Sequence, residues 1–306
     1  MFAKSGMSCL KGYVYTLKRP CYVVSHLACV TPKGSTSTFL QYYFKYNRPD
    51  RLIENPSFPS IKLSKISEIE IAIPDERTLS AQTAVLDKIN EQTAITQEQI
   101  SRLDILVKSR FVDMFGDQKT NNLGLPTSKL GNVAFVGSSK RVFKDELKDS
   151  GVPFFRGTEV GALAFSERIK PELFITREHY DELVAHTGKP EVGDLLMPSI
   201  CPGGQIWLVD TTKPFYFKDG RVLWVRPDHE ILDSTFLQYA LRNRFVSDFD
   251  SFASGTTFAE LKIFVLKDLD VTLPSLSLQR EFADFASRVD KLRVVAEEQK
   301  KKLQTL

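Results

Sequence analysis

The side chains best suited to chemistry in this sequence are cations and hydroxyls gathered in short polar stretches, and that chemistry is recognition rather than turnover. Ser138-Ser139-Lys140-Arg141 is a polar, basic turn, and Phe154-Phe155-Arg156-Gly157-Thr158-Glu159 sets an arginine beside glycine and threonine. A guanidinium is a planar fork that grips a phosphate or the edge of guanine. The plainer alternative is a solvated surface cation, since 26% of the residues are charged. Ser254-Gly255-Thr256-Thr257 with Lys262 gathers small hydroxyls near a cation, and Thr257 followed by Glu260 also fits a helix capping box. Ser199-Ile200-Cys201-Pro202-Gly203-Gly204-Gln205 is a turn whose bare backbone suits either a phosphate or a hairpin. It lacks the G-x-x-x-x-G-K-[ST] pattern of a nucleotide-binding loop.

Catalytic patterns are missing. The chain has no G-x-S-x-G elbow, no H-E-x-x-H and no histidine-carboxylate cluster, and acidic pairs such as Asp145-Glu146 and Asp181-Glu182 point in different directions from adjacent positions. Cys9, Cys21, Cys29 and Cys201 have no C-x-x-C spacing, and the 4 histidines are scattered, so neither a zinc site nor a disulfide framework is indicated. The expectation is a protein that is not an enzyme and carries no metal or cofactor. Lys plus Arg exceeds Asp plus Glu by 41 − 38 = 3, a mild excess that permits nucleic acid without arguing for it. No apolar run approaches the roughly 20 residues of a membrane span, and Met1 to Gly6 is no signal peptide, so a cytoplasmic location is expected.

The elements that must position these side chains are announced by an internal repeat. Thr38-Phe39-Leu40-Gln41-Tyr42 returns as Thr235-Phe236-Leu237-Gln238-Tyr239. Pro20-Cys21-Tyr22 parallels Pro214-Phe215-Tyr216, and Ile71-Ala72-Ile73-Pro74 parallels Val271-Thr272-Leu273-Pro274. A period of about two hundred residues is too long for a solenoid and implies a duplicated domain followed each time by a helix. The chain divides accordingly into a first recognition-like segment 1–76, a spacer helix 77–116, a larger domain 117–276 and a C-terminal helix 277–306. The fold class expected is α+β. From Leu79 to Phe115 there is no Pro or Gly, and apolar residues recur at helical steps through Ile89, Ile100, Leu103 and Val107, with Gly116 as a stop. Leu278, Phe282, Phe285, Val289, Leu292, Ala296, Leu303 and Leu306 form a second seam, and two such helices can pair as an antiparallel coiled coil. Two unrelated amphipathic helices are the alternative. Phe264-Val265-Leu266 is strand-like.

The helix ending Leu106-Val107-Lys108-Ser109-Arg110-Phe111-Val112-Asp113-Met114-Phe115-Gly116-Asp117, followed by a domain opening Leu130-Gly131-Asn132-Val133, resembles the specificity (S) subunit of type I restriction-modification systems. Val192-Gly193-Asp194-Leu195-Leu196-Met197, Phe217-Lys218-Asp219-Gly220-Arg221 and the stretch from Gly255 to Pro274 carry the same resemblance. It implies a DNA-specificity subunit with two target-recognition domains, each reading half of a split sequence in double-stranded DNA. It further implies two spacer helices on which methyltransferase (M) subunits dock, with restriction (R) subunits joining the complex. In this family the stretch around Ser254 lies near the DNA-facing surface. The residues expected to meet DNA are Lys140, Arg141, Arg156, Thr158, Ser254, Thr256, Thr257 and Lys262, with Ile89, Ile100, Leu103, Val107, Phe282, Phe285, Val289 and Leu292 packing the helices.

One departure from the family pattern stands out. Aligning Met1-Phe2-Ala3 with Leu195-Leu196-Met197 places the start inside a recognition domain, so a partial first domain is expected. Two other functions stay open: an assembly module or recombination-donor product that only captures methyltransferase subunits, and a pair of chains joined through their helices to read a palindromic split site.

Overall fold

The structure, a computed structural model, describes residues 1–17, 19–33, 36–252 and 260–305. It is α+β and divides into two compact units, residues 1–99 with 296–306 and residues 100–295, so that the contact boundary falls inside both long helices. In chain order, the first unit holds β1 (Phe2–Ala3), β2 (Leu27–Ala28), α1 (Ser37–Asn47), α2 (Leu63–Ser67) and the first part of α3 (Glu76–Phe115). The second holds β3 (Thr127–Lys129), α4 (Leu130–Val133), β4 (Ala134–Gly137), β5 (Val152–Phe155), α5 (Gly157–Leu163), β6 (Phe174–Ile175) and α6 (Arg177–Thr187). It continues with β7 (Leu195–Pro198), β8 (Trp207–Leu208), β9 (Tyr216–Phe217), β10 (Val222–Pro227), α7 (Ser234–Phe252), α8 (Ile263–Asp268), β11 (Asp270–Thr272) and most of α9 (Leu276–Gln304).

The second unit is built on β10. Val222-Leu223-Trp224-Val225 is apolar without alternation, as a strand covered on both faces should be. It pairs antiparallel with β4 on one edge and β7 on the other, and β8 extends the sheet beyond β7. A second sheet runs β6-β5-β9, with β5 and β9 parallel. Asp194, buried just before β7, accepts hydrogen bonds from Trp224 Nε1 at 2.8 Å and from Arg226 Nη2 at 2.9 Å. This charge-assisted tie fixes β7 against β10.

The helices follow from their ends and seams. Asp75 caps α3, accepting from the Thr78 backbone at 3.0 Å and its hydroxyl at 2.7 Å, and these bonds hold its carboxyl below the usual range. The helix stops after Phe115 at Gly116, whose φ of +68° suits glycine and whose missing Cβ would meet Asn122 Oδ1 at 2.3 Å. Within the second unit Phe111 and Phe115 of α3 close on Phe282 of α9 at 5.3 and 5.7 Å between ring centres, and Arg110 pairs with Glu281 at 3.1 Å. Within the first unit Lys300 donates to Gln97 at 2.5 Å. Partners fall in α9 as they rise in α3, which is an antiparallel order.

Ile100, Val107, Phe282 and Val289 are buried in these seams, and Ile89, Leu103 and Phe285 half-buried. Leu292 departs from expectation at 60% exposed. The alternation of three and four runs Gln279, Phe282, Ala286, Val289, Arg293, Ala296, so position 292 turns one residue away from the seam. Leu306 lies outside the described residues. The stretch Phe264-Val265-Leu266 is also not a strand: it forms α8, with Leu266 buried and Phe264 exposed, while β11 takes the strand position beside β3.

The repeat is visible in register. Phe2 and Ala3 face Ala28 and Leu27, as Leu196 and Met197 face Trp224 and Leu223. A bridge from Phe2 to Val14 stands where Leu196 meets Trp207. Tyr42 donates to Asp87 of α3 at 2.6 Å, whereas its repeat partner Tyr239 packs on Phe282 at 5.1 Å. Among the described residues of the first unit, no strand takes the place of β4 on the far edge of β2. Tyr216, under the segment carrying β5, is 1% exposed; its counterpart Tyr22 is fully exposed at 106%. Tyr216→Ser is therefore expected to destabilise the second unit by roughly 3–5 kcal/mol, and Tyr22→Ser to stay within about 0.5 kcal/mol of the parent, both read by urea unfolding. Equal losses would contradict the assignment of core and surface.

Candidate nucleic-acid interface

Three turns of the second unit meet at one place because β10 and its neighbours bring them there. The turn linking β9 to β10 carries Lys218, Asp219, Gly220 and Arg221, and it is anchored to β5 through the Lys218 N–H donating to Phe155 O at 2.9 Å. Ser138 and Ser139 pin the loop after β4 to that same turn. The Ser138 hydroxyl donates to Val222 O at 2.6 Å and accepts from Gly220 N at 2.9 Å, and Ser139 donates to Phe217 O at 2.5 Å. The Lys140 N–H donates to the Tyr216 hydroxyl at 2.9 Å. Lys140 and Arg141 are thereby held beside Lys218 and Arg221, across a sequence distance no local pattern would bridge.

Beside the β9–β10 turn lies an open cleft of about 690 Å³, shared with the turn after β7 and the start of α5, whose polar wall holds Arg156, Thr158, Glu167, Ser199, Gln205, Lys218 and Arg221. Phe165 and Ile200 add exposed apolar surface to it. Ser199 and Gln205 belong to the Gly-rich turn after β7, and the buried Gln205 Oε1 has no hydrogen-bond partner among the described residues. The cleft joins cations, hydroxyls, an amide and the carboxylate of Glu167 with an apolar patch. That set can hold phosphate oxygens and read hydrogen-bonding base edges.

The expected residues separate into distinct roles. Arg156 lines the cleft but is tied to Glu159 at 2.5 Å and Glu172 at 2.9 Å, and Thr158 donates to Glu159 at 3.0 Å. Arg141 is held by Asp219 at 3.1 Å. Lys262 pairs with Glu260 at 2.6 Å, and Glu260 also pairs with Arg221. Among the described residues, no carboxylate pairs with the side chain of Lys140 or Lys218. Ser254, Thr256 and Thr257 lie outside the described residues. Sequence reading passed over Gln205, Lys218 and Arg221 as individual candidates, although two cations flanking Asp219-Gly220 are the signature of a charged hairpin tip.

Arg156 and Glu159 form a structural clasp. Burial alone would raise the Glu159 carboxyl, but hydrogen bonds from the Arg156 side chain and backbone outweigh it and bring the pKa down from an ordinary 4.5 to about 2. The same contacts, led by the Glu159 hydrogen bond, raise the Arg156 pKa. A depressed carboxyl contributes stability that is complete above its unfolded value and lost as pH falls through its folded one. Glu159→Gln is accordingly expected to destabilise the second unit by about 1–2 kcal/mol at pH 6, with parent and variant converging near pH 2. Denaturant unfolding at the two pH values checks this, and a difference that persists at pH 2 would contradict it.

Other titratable groups lie apart from the cleft's chemistry. Burial pushes the Cys201 thiol up to about 12, so it is inert. Cys9 is likewise buried, whereas Cys21 and Cys29 are exposed and all four cysteines are free. Among the described residues, no three His, Cys, Asp or Glu side chains are grouped to hold a metal, and no helix is long and apolar enough to cross a membrane.

Known proteins resemble this architecture. The family model of the type I restriction modification DNA specificity domain matches residues 125–305. The crystal structure of a type I restriction-modification S subunit from M. genitalium superposes with a TM-score of 0.58 at 16% identity, covering 99% of this chain and 79% of that one. The HsdS subunit from Thermoanaerobacter tengcongensis aligns with a TM-score of 0.49 at 15% identity, over 88% of this chain and 67% of that one. At such identities the first of these likenesses speaks for the fold. No protein of curated function matches the chain.

Proposed function

We propose, since this chain belongs to the type I restriction-modification DNA specificity family, that its second unit reads one part of a split duplex DNA target through the cleft beside β10. The chain is a non-catalytic, DNA-recognising component. Any methylation or cleavage is the work of partner subunits: methyltransferase subunits seated on α3 and α9, and restriction subunits joining them, as the family resemblance implies. The observation that carries the reading is the meeting of Lys218 and Arg221 with Ser199 and Gln205 from two separate turns in one cleft, with the loop of Lys140 pinned to the first of those turns through Ser138 and Ser139.

Electrostatics sorts the cations in this proposal. Lys140 and Lys218, with no carboxylate partner among the described residues, are the phosphate contacts that set register. Gln205, which lines the cleft, supplies an amide for pairing with a base edge such as that of adenine. Arg141 and Arg156 hold the walls through Asp219 and through Glu159 with Glu172. Ser254, Thr256 and Thr257 stay in the proposal as DNA contacts, with Lys262 at the edge of the same segment.

The first unit favours a division of labour. Its exposed Tyr22 and the single pairing of β2 leave it without the covered sheet on which the second unit's cleft is mounted. The first unit and its stretch of helix then serve assembly, and pairing of two chains through their helices would supply a second reader. Replacing Lys140 and Lys218 together by alanine is expected to weaken duplex binding by about tenfold to a hundredfold at moderate salt. It should also reduce the slope of log affinity against log salt by nearly 2, about 0.9 for each phosphate contact. Unchanged affinity and slope in filter-binding titrations would refute the cleft as the DNA surface, while methyltransferase co-purification should be unaffected.

A further inference from the structure

Besides Glu167 in its lining, the cleft has an anion at its edge. Glu260 directs its carboxylate to both Arg221 and Lys262, the latter at 2.6 Å. The two cations are loosely held, with side chains 57% and 47% exposed, whereas the Glu260 side chain is only 20% exposed. Its position is fixed by the next residue: Leu261 is buried, and its N–H donates to Ser199 O at 2.7 Å, on the turn that lines the cleft. The backbone beside Glu260 is thus held against the turn that lines the cleft, and its side chain is more enclosed than those of its two partners. Arg141 with Asp219 joins two loops and Arg156 with Glu159 closes the start of one helix, whereas Glu260 holds two cations at once.

We propose that Glu260 is a built-in counter-anion standing where a DNA phosphate would stand, so that any duplex must displace it to engage Arg221 and Lys262. This rests on the reading of the cleft as the DNA surface. An exposed ion pair contributes little, so the cations exchange partners readily. The carboxylate, more enclosed than its partners, stays near them and repels the incoming phosphate. The penalty falls on every duplex irrespective of sequence, since phosphate carries no sequence information. Glu260 therefore lowers the general affinity of the cleft for DNA and keeps the chain from being held on the large excess of non-target sequence.

The test uses the full chain and a random-sequence duplex. Glu260→Gln keeps the shape and removes the charge. It is expected to raise affinity for random duplex by about tenfold at low salt and to steepen the salt dependence by roughly 1, one further phosphate contact's worth. Glu260→Ala gives the same result should the glutamine variant prove unstable, and Glu260→Asp, which keeps the charge, behaves as the parent. Glu54→Gln is the control: it removes the same unit charge from a carboxylate that also holds two lysines, Lys62 and Lys65, in the first unit. It should change neither affinity nor slope. If the parent binds duplex and Glu260→Gln matches it, or matches only what Glu54→Gln does, the role given to Glu260 is wrong and the reading of the cleft stands. If parent and variants alike fail to bind duplex, that reading falls and this inference with it.

Discussion

The two-sided pairing of β10 is the constraint from which the rest of the second unit follows. Because β4 and β7 both hydrogen-bond to it, the turn entering β10 is fixed relative to the loop leaving β4 and the turn leaving β7. The turns entering β10 and leaving β7 carry Lys218, Arg221, Ser199 and Gln205 of the cleft, and the start of α5 adds Arg156 and Thr158. Asp194 adds a second tie by binding Trp224 and Arg226 at once, so the register of β7 against β10 is set by a buried charge as well as by the ladder. Removing one partner of such a buried pair is far more damaging than never having had it. The proposed recognition surface is a set of loops on a rigid frame, which is where binding residues usually sit.

Charge in this frame is organised before any ligand arrives. Arg141, Arg156, Arg221 and Lys262 each have a carboxylate partner, and those carboxylates come from both near and distant positions. A mild net charge of +3 is therefore a poor guide to the local field. What distinguishes Lys140 and Lys218 from the other cations is the pairing of their neighbours, not their own residue type. The two units also differ in how far the shared plan is covered: Tyr22 and Tyr216 occupy matching places in the repeat, one in solvent and one in the core.

Much of the fold was legible in sequence because its signals are local. A stretch from Leu79 to Phe115 without Gly or Pro, with Gly116 as its stop, reads as one long helix, and the repeat pointed to the duplicated strands and helices, while the Asp75 cap emerged only in the structure. Leu292 misled because apolar character was read as burial, whereas the strict alternation through Val289, Arg293 and Ala296 puts a polar residue in the seam. Phe264-Val265-Leu266 misled because a short apolar run does not distinguish a strand from one turn of helix. The site was less legible than the fold. Arg156 and Glu159 sit three residues apart at a helix start, and their mutual capture could have been foreseen. The pairing of Arg141 with Asp219, or the meeting of Lys218 with Ser199 and Gln205, depends on strand order and could not.

The central claim is that one unit of this chain reads duplex sequence through the cleft beside β10. It is tested most directly by selecting bound sites from randomised duplex DNA, using the full chain with a cognate methyltransferase subunit, in parallel with a Gln205→Ala variant. The account predicts one enriched short motif for the parent, with preference relaxed at one or two positions in the variant. No enrichment from a complex in which the methyltransferase still co-purifies would contradict it and leave the chain as an assembly module.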